Sequence, residues 1–564
     1  MAAKPREFLF RLGRHSLRAG WNLAQTVLFS PSFMPVANVS KRNVLWIIMW
    51  FLLGGATLHG QDIGLRLLQA TTNLDGAGIR VGQPEAEDSS PPNETNNWEV
   101  NPATIPDPVS RFTWYSNGLS SARFTNSLGI ESGHADAVGG IFYGASGTAT
   151  NVAHVDNFEV NTYIDFYVFE NKNFSAGATD AIVNQSYTFG PETAMNQEMI
   201  DTNFDDFQVR YNTLFISAAC NFSLSRSVCA PGTSYNCISV GAYDGDSSVG
   251  PTIDNGRCKP DIVAPAQETS YATPYVAGSA ALLIQAARRG DGGKDAHSAS
   301  DMRVIKALLL NGAVKPARWM NIPPSPLDYT NGAGVLNVFN SYKQLIGGKR
   351  GWNFSTNIPV GTAHPPVVMT NSVPVLNGWD FNTNKSSSTQ DGVNHYFFNV
   401  TNGGNQSGFT LTSTLVWNRQ ENKTSINNLA LYLYNAANSN LVAASTSVVD
   451  NVQHLFVRQL PHGRYDLQVW KAGGSGIVSP NEPYALAWAI VSELLKVKES
   501  GTNLLLTWPL YPDGYTVAST PSLTPPVTWS TSGIPAPLVT NNQNVVTLHE
   551  GDSVQFFRLQ TPNF

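Results

Sequence analysis

The residue whose setting most invites chemistry is Ser270. It stands where the extended run Lys259-Pro260-Asp261-Ile262-Val263-Ala264-Pro265 gives way to Thr269-Ser270-Tyr271-Ala272-Thr273-Pro274. The small, apolar stretch from Val276 to Gln285 carries no charge, Arg288 and Arg289 come next, and Gly290 follows. This pattern predicts a buried helix with Pro274 in its first turn and a glycine stop. Backbone N–H groups in a first turn lack intrahelical acceptors, and the helix dipole is positive there. Negative charge developing on or near a hydroxyl at that point is therefore favoured. Serine is also an ordinary N-cap, so position alone leaves both roles open.

The wording around Ser270 narrows the choice. K-P-D-I-V-A-P followed by T-S-x-A-T-P-x-V-A-G, twenty residues from Lys259 to Gly278, closely resembles the nucleophile block of the subtilisin-like serine peptidases. The resemblance implies an acid, a histidine, an asparagine and the serine, in that chain order. His134, in Gly133-His134-Ala135-Asp136-Ala137-Val138-Gly139-Gly140-Ile141, is similar to the family's H-G-T-H-V-A-G-I helix. A histidine opening a helix can act as a general base while a carboxylate holds its other nitrogen. Asn221 ends the apolar run Leu214-Phe215-Ile216-Ser217-Ala218-Ala219-Cys220, which resembles the family's strand ending A-A-G-N. There it would donate its amide N–H to the oxyanion.

The acid is implied at Glu85, after the turn Asp75-Gly76-Ala77-Gly78 and the strand Ile79-Arg80-Val81-Gly82, where the family has aspartate. Glutamate carries the same charge and can accept the imidazole N–H. Glu87 and Asp88 are the neighbouring rivals. Other departures crowd the site: Glu268 replaces the glycine before Thr269, Ala135 and Ala137 replace the residues after the base, and Cys220 replaces the glycine beside Asn221. Ala181-Ile182-Val183-Asn184-Gln185-Ser186-Tyr187 resembles the substrate-binding strand, whose free edge would pair with an extended peptide. Ser186 and Tyr187 would flank the pocket for the residue before the cut bond.

The elements that must position these groups imply an α/β subtilisin-like domain, a mostly parallel sheet flanked by helices, over residues 61–350. A helix is expected at Ala299 to Asn311, and Gly332-Ala333-Gly334-Val335-Leu336-Asn337 resembles a C-terminal helix of the family. Two all-β modules are expected to follow. Residues 351–495 hold short β-branched and aromatic runs such as Tyr396–Val400, Thr414–Trp417 and Leu429–Tyr434, parted by Asn, Gly and Ser, which suggests a β-sandwich. Its wording resembles the jelly-roll-like module that follows many secreted bacterial subtilases. Relatives often carry aspartates there that could hold calcium; Asn428 and Ala430 stand instead, and no metal is expected. Residues 496–564 repeat the pattern on a smaller scale, with Leu504–Trp508, Tyr515–Val517 and Val554–Leu559. Surface retention, sorting and carbohydrate contact all remain open for this last module.

Residues 1–60 read as an export leader: seven Lys or Arg within residues 1–42 against Glu7 alone, then an apolar run from Val44 to Leu58 closing on small residues. The run is short for a span of about 20 residues, so stable membrane insertion is expected only if the leader stays uncleaved. No folding prodomain is expected between it and the first strand. These features predict a secreted or extracytoplasmic bacterial protein. Only 13% of the 564 residues are charged, the net charge is −6, and Gly and Pro number 47 and 34. That argues for a loop-rich soluble chain and against nucleic acid as a partner. Cys220, Cys229, Cys237 and Cys258 lack C-x-x-C spacing, and export predicts one or two disulfides near Asn221 with the pairing open.

Two functions fit: a secreted serine endopeptidase acting on a polypeptide without a cofactor, or an inactive scaffold that keeps the peptidase fold. Cleavage specificity and oligomeric state are not written in these residues.

Overall fold

The computed structural model describes residues 63–88, 95–169, 180–223, 227–367, 370–401, 408–492, 495–541, 543–549 and 555–560; the leader expected at 1–60 lies outside them. The first half is built on one eight-stranded sheet. Its strands are β1 (Arg80–Glu85), β2 (Phe112–Ser116), β3 (Leu119–Ser121), β4 (His154–Glu159), β5 (Ile182–Gln185), β6 (Leu214–Ala218), β7 (Ile238–Tyr243) and β8 (Ile262–Pro265). They lie in the order β8-β7-β6-β5-β1-β4-β2-β3, and every pairing is parallel except that of the edge hairpin β2-β3. The central strands are buried along nearly their whole length, as expected where helices cover both faces of a parallel sheet.

Six helices matter here: α1 (Leu65–Thr71), α2 (Gly133–Phe142), α3 (Ala194–Tyr211), α4 (Thr269–Arg289), α5 (Met302–Gly312) and α6 (Val338–Leu345). In α4, Ala272, Ala277, Ala280, Ala281, Ala286 and Ala287 are buried beside Val276, Leu282, Leu283 and Ile284. Such small side chains let the helix lie close to its neighbours. A Cβ on Gly278 would stand 2.4 Å from Thr148 Cβ. The polar Gln285 is a clamp: its Oε1 accepts from Asp75 N at 2.9 Å and Gly76 N at 2.8 Å, in the turn that leads into β1. Gly76 has φ +92°, a conformation that glycine adopts without a Cβ penalty. Gly290, at φ 89°, closes α4 as the sequence predicts.

The K-P-D wording also has a structural purpose. Lys259 Nζ lies 2.7 Å from Asp261 Oδ2 with both side chains buried, and the same oxygen accepts from Ser239 N at 2.8 Å. The ion pair thus ties the entry of β8 to β7 and fixes where α4 begins. Burial pushes Lys306 down to about 8, although Asp261 opposes this, and its ammonium donates to Tyr235 O and Cys237 O.

Three local expectations need correction. Pro274 sits in the second turn of α4, because the helix starts five residues earlier, at Thr269. The helix expected over 299–311 begins at Met302, since Asp301 accepts from Arg303 N and caps it after a break at Ser300. Gly332–Leu336 is not helical but turns, with Gly332 and Gly334 at φ 55° and 128° and isolated bridges to Ile262, Val263 and Val314, because its backbone is used to cover β8; α6 follows after Asn337 caps it.

The second half is antiparallel. Strands β9 (Phe354–Pro359), β10 (Asn377–Lys385), β11 (Gln390–Val400), β12 (Phe409–Trp417), β13 (Leu429–Asn435), β14 (Leu441–Ser445), β15 (Val452–Leu460), β16 (Gly463–Lys471) and β17 (Asn481–Val491) form two sheets. Their orders are β9-β11-β16-β13-β14 and β10-β17-β12-β15. Tyr396, Phe398, Leu415, Trp417, Leu431, Leu467, Leu486 and Trp488 fill one shared core. Helix α5 meets the four-stranded sheet, where Thr414 Oγ1 donates to Asn311 Oδ1 at 3.0 Å. Residues from Lys496 onward form a separate four-stranded sheet and a two-stranded pair around Leu506, Trp508, Val517 and Val546.

Because Gly278 touches Thr148 so closely, Gly278→Ala is expected to destabilise the fold by about 1–3 kcal/mol. A thermal or urea denaturation series checks this.

Candidate active site

Glu85 is the last residue of β1 and is only 1% exposed. A buried carboxylate needs partners on both oxygens. Oε2 lies 2.8 Å from His134 Nδ1, and Oε1 accepts from Gln83 Nε2 at 2.9 Å. Gln83, two residues earlier on the same face of β1, is itself held: its Nε2 also reaches Ala135 O at 3.0 Å and its Oε1 accepts from Tyr143 OH. The extra methylene of glutamate is thus accommodated at a strand end braced on one side. Glu87 turns away to accept from Asn96 N.

His134 occupies the first turn of α2, which Ser132 caps by accepting from Ala135 N at 3.2 Å. Burial disfavours its imidazolium, but the charge of Glu85 and their hydrogen bond outweigh that cost, aided by Asp88 and Glu268. The His134 pKa is raised above its ordinary value. Its ring lies 5.8 Å from that of Tyr271, the residue after Ser270, so β1, α2 and the start of α4 meet here.

Ser270 is the second residue of α4. Its Oγ donates to Ser186 O at 3.2 Å, and Ser186 Oγ donates to Ser270 O at 2.8 Å. Pro274 explains the second bond. It has no N–H to give to the carbonyl four residues back, so Ser270 O is left for Ser186. No hydrogen bond joins His134 to Ser270 in this rotamer among the described residues. Catalytic hydrogen bonds often tighten only when substrate is bound.

Asn221 follows β6, and its Oδ1 accepts from both Thr269 N at 2.9 Å and Thr269 Oγ1 at 2.7 Å. This fixes the amide beside Ser270 and leaves Nδ2, which makes a long 3.5 Å contact with Glu268 Oε2. The preceding Cys220 keeps a glycine-like backbone at φ 94°.

Strand β5 is an internal strand at its start, where Ile182 and Val183 pair with β1 as well as β6. Asn184 and Gln185 pair with β6 alone among the described strands but are wholly buried, so the free edge expected from 181 to 187 is not open at these positions. Ser186 meets Ser270 directly. Tyr187 is buried in an aromatic core with Tyr163, Phe204 and Phe215. None of the four cysteines is joined in a disulfide, so the expected disulfides are not formed here. Cys229 Sγ nonetheless lies 2.8 Å from Cys220 Sγ, and this hydrogen bond, opposed by burial, lowers the Cys220 thiol to about 7. Among the described residues no three His, Cys, Asp or Glu side chains converge to hold a metal ion, and no helix is long and apolar enough to cross a membrane.

Residues 131–342 match the sequence profile of the subtilase family. The mostly parallel sheet and its flanking helices, which carry the matched residues, agree with that likeness; Glu85 lies before the matched segment, and its placement rests on the geometry above. Similar solved structures include the prenylagaramide maturation protease PagA, at 19% identity and TM-score 0.34 over 51% of this chain and 99% of that one. Others are the PatG macrocyclase in complex with peptide (16%, 0.34, 51% and 98%) and a protease from Pseudoalteromonas arctica (15%, 0.30, 52% and 96%). No curated protein matches the chain.

Gln83 was not singled out by sequence, although its i, i+2 relation to Glu85 was a usable signal. Gln83→Leu leaves Glu85 Oε1 and Tyr143 OH unpaired in a buried site, and is expected to cost about 1–3 kcal/mol by chemical denaturation.

Proposed function

We propose that this chain is a serine endopeptidase, exported from a bacterial cell, that cuts polypeptides through an acyl-enzyme. The observation that carries this reading is the 2.8 Å contact between Glu85 and His134 at the mouth of the helix that bears Ser270. Ser270 turns from Ser186 O toward His134 and attacks the peptide carbonyl while Nε2 takes its proton. Glu85 holds Nδ1–H and stabilises the imidazolium. Asn221 Nδ2 and the Ser270 backbone N–H receive the oxyanion. Collapse breaks the C–N bond, His134 returns the proton to the leaving amine, and water releases the acyl group by the same steps. Ser186, whose hydroxyl and carbonyl both meet Ser270, stands on the substrate side of the site.

A second reading, an inactive scaffold, is favoured by the Ser270 hydroxyl resting on Ser186 and by the carboxylate at Asn221. A fluorophosphonate probe separates them. Labelling of the wild type but not of Ser270→Ala supports the peptidase, and labelling of neither supports the scaffold. Asn221→Ala is expected to lower kcat by about two to three orders of magnitude.

The base must be neutral to act, so activity falls as pH drops through a His134 pKa raised by Glu85. Glu85→Gln removes that charge. It is expected to shift the acid limb of kcat/KM to lower pH and to lower kcat by about 10²-fold or more, with a stability cost of about 1–3 kcal/mol because the new amide NH2 faces a donor in a buried site. A limb that stays in place assigns the role to another group. Export also implies that Cys220 and Cys229 join in the oxidising compartment, which an intact mass lighter by two hydrogen atoms under non-reducing conditions would register.

A further inference from the structure

We infer that Glu268 makes this site select peptides carrying a basic side chain next to the cut bond. The inference rests on the peptidase reading and adds a substrate class to it. Glu268 is the N-cap residue of α4 by position, yet its side chain does not cap the helix. It is exposed, and its carboxylate reaches the one atom of Asn221 that the site keeps for substrate, Nδ2 at 3.5 Å. The other end of the Asn221 amide is committed to Thr269.

The carboxylate is not on a loose loop. Residue 268 forms a backbone bridge with Asp246, Asp246 N donates to Gln267 O at 2.7 Å, and a Cβ on Gly245 would stand 2.3 Å from Ala266 O. Glu268 therefore stays one residue before Thr269 and two before Ser270, and has no ion-pair partner among the described residues.

A resident negative charge at the oxyanion donor works against catalysis twice. It competes with the substrate carbonyl for Nδ2, and it repels the charge that grows on that oxygen. A neutral or acidic peptide leaves both penalties in place. A lysine or arginine flanking the cut bond can pair with Glu268, drawing it off Nδ2 and cancelling its charge. The discrimination comes from the penalty against wrong substrates as much as from the new contact.

The test uses the full chain, its Ser270→Ala control and Glu268→Gln. A mixed peptide library is digested and its cleavage sites read by mass spectrometry. Peptide pairs differing only by Lys or Gln beside a cut site are then measured for kcat/KM. The wild type is expected to favour the Lys member by about two- to fivefold, with the ratio falling toward one in Glu268→Gln because the Gln member is cut faster. Ser270-dependent cleavage with the same Lys-to-Gln ratio in both proteins overturns this inference and leaves the peptidase reading standing. Cleavage independent of Ser270, or none by either protein, overturns both.

Discussion

A carboxylate taken almost wholly out of water sets the terms for everything around it. Glu85 is accommodated at the end of β1 because His134 meets one oxygen and Gln83 the other. Gln83 can meet it only because Tyr143 and Ala135 hold Gln83 in turn. Both of those residues belong to or adjoin α2, the helix that carries His134. Glu85, His134 and the scaffold beneath them therefore form one closed hydrogen-bonded unit.

The other half of the site is organised from α4. Gln285 fastens that helix to the turn before β1, Gly278 lets it approach Thr148, and the Lys259–Asp261 pair fixes the strand that feeds it. Three separate contacts along the chain thus serve one purpose, which is to bring the start of α4 against the C-terminal ends of β5 and β6. Asn221 completes the arrangement by gripping Thr269 from the end of β6. In open parallel sheets this is the side on which ligands gather.

Much of this could be read from residues alone. The nucleophile block, the histidine helix and the strand ending at Asn221 are local patterns, and local patterns survive in sequence. The substitution of glutamate for aspartate was legible for the same reason. What escaped depends on three dimensions. Which edge of β5 is covered follows from the neighbours it acquires, and Val183 and Asn184 look alike in that respect until β1 is placed. Gln83 in a buried strand reads as an ordinary interior residue until Tyr143 arrives from sixty positions away. Glu268 was visible as a departure, but its reach to Asn221 depends on the path of the chain past Asp246. The break before Met302 was legible in principle, since aspartate is a preferred cap.

The missing rung at Pro274 has a mechanical side. Because the carbonyl of Ser270 bonds across to Ser186 instead of along its own helix, the first turn of α4 and the chain after β5 are joined through a two-way link. The chain after β5 can shift only by carrying the first turn of α4 with it or by breaking both bonds.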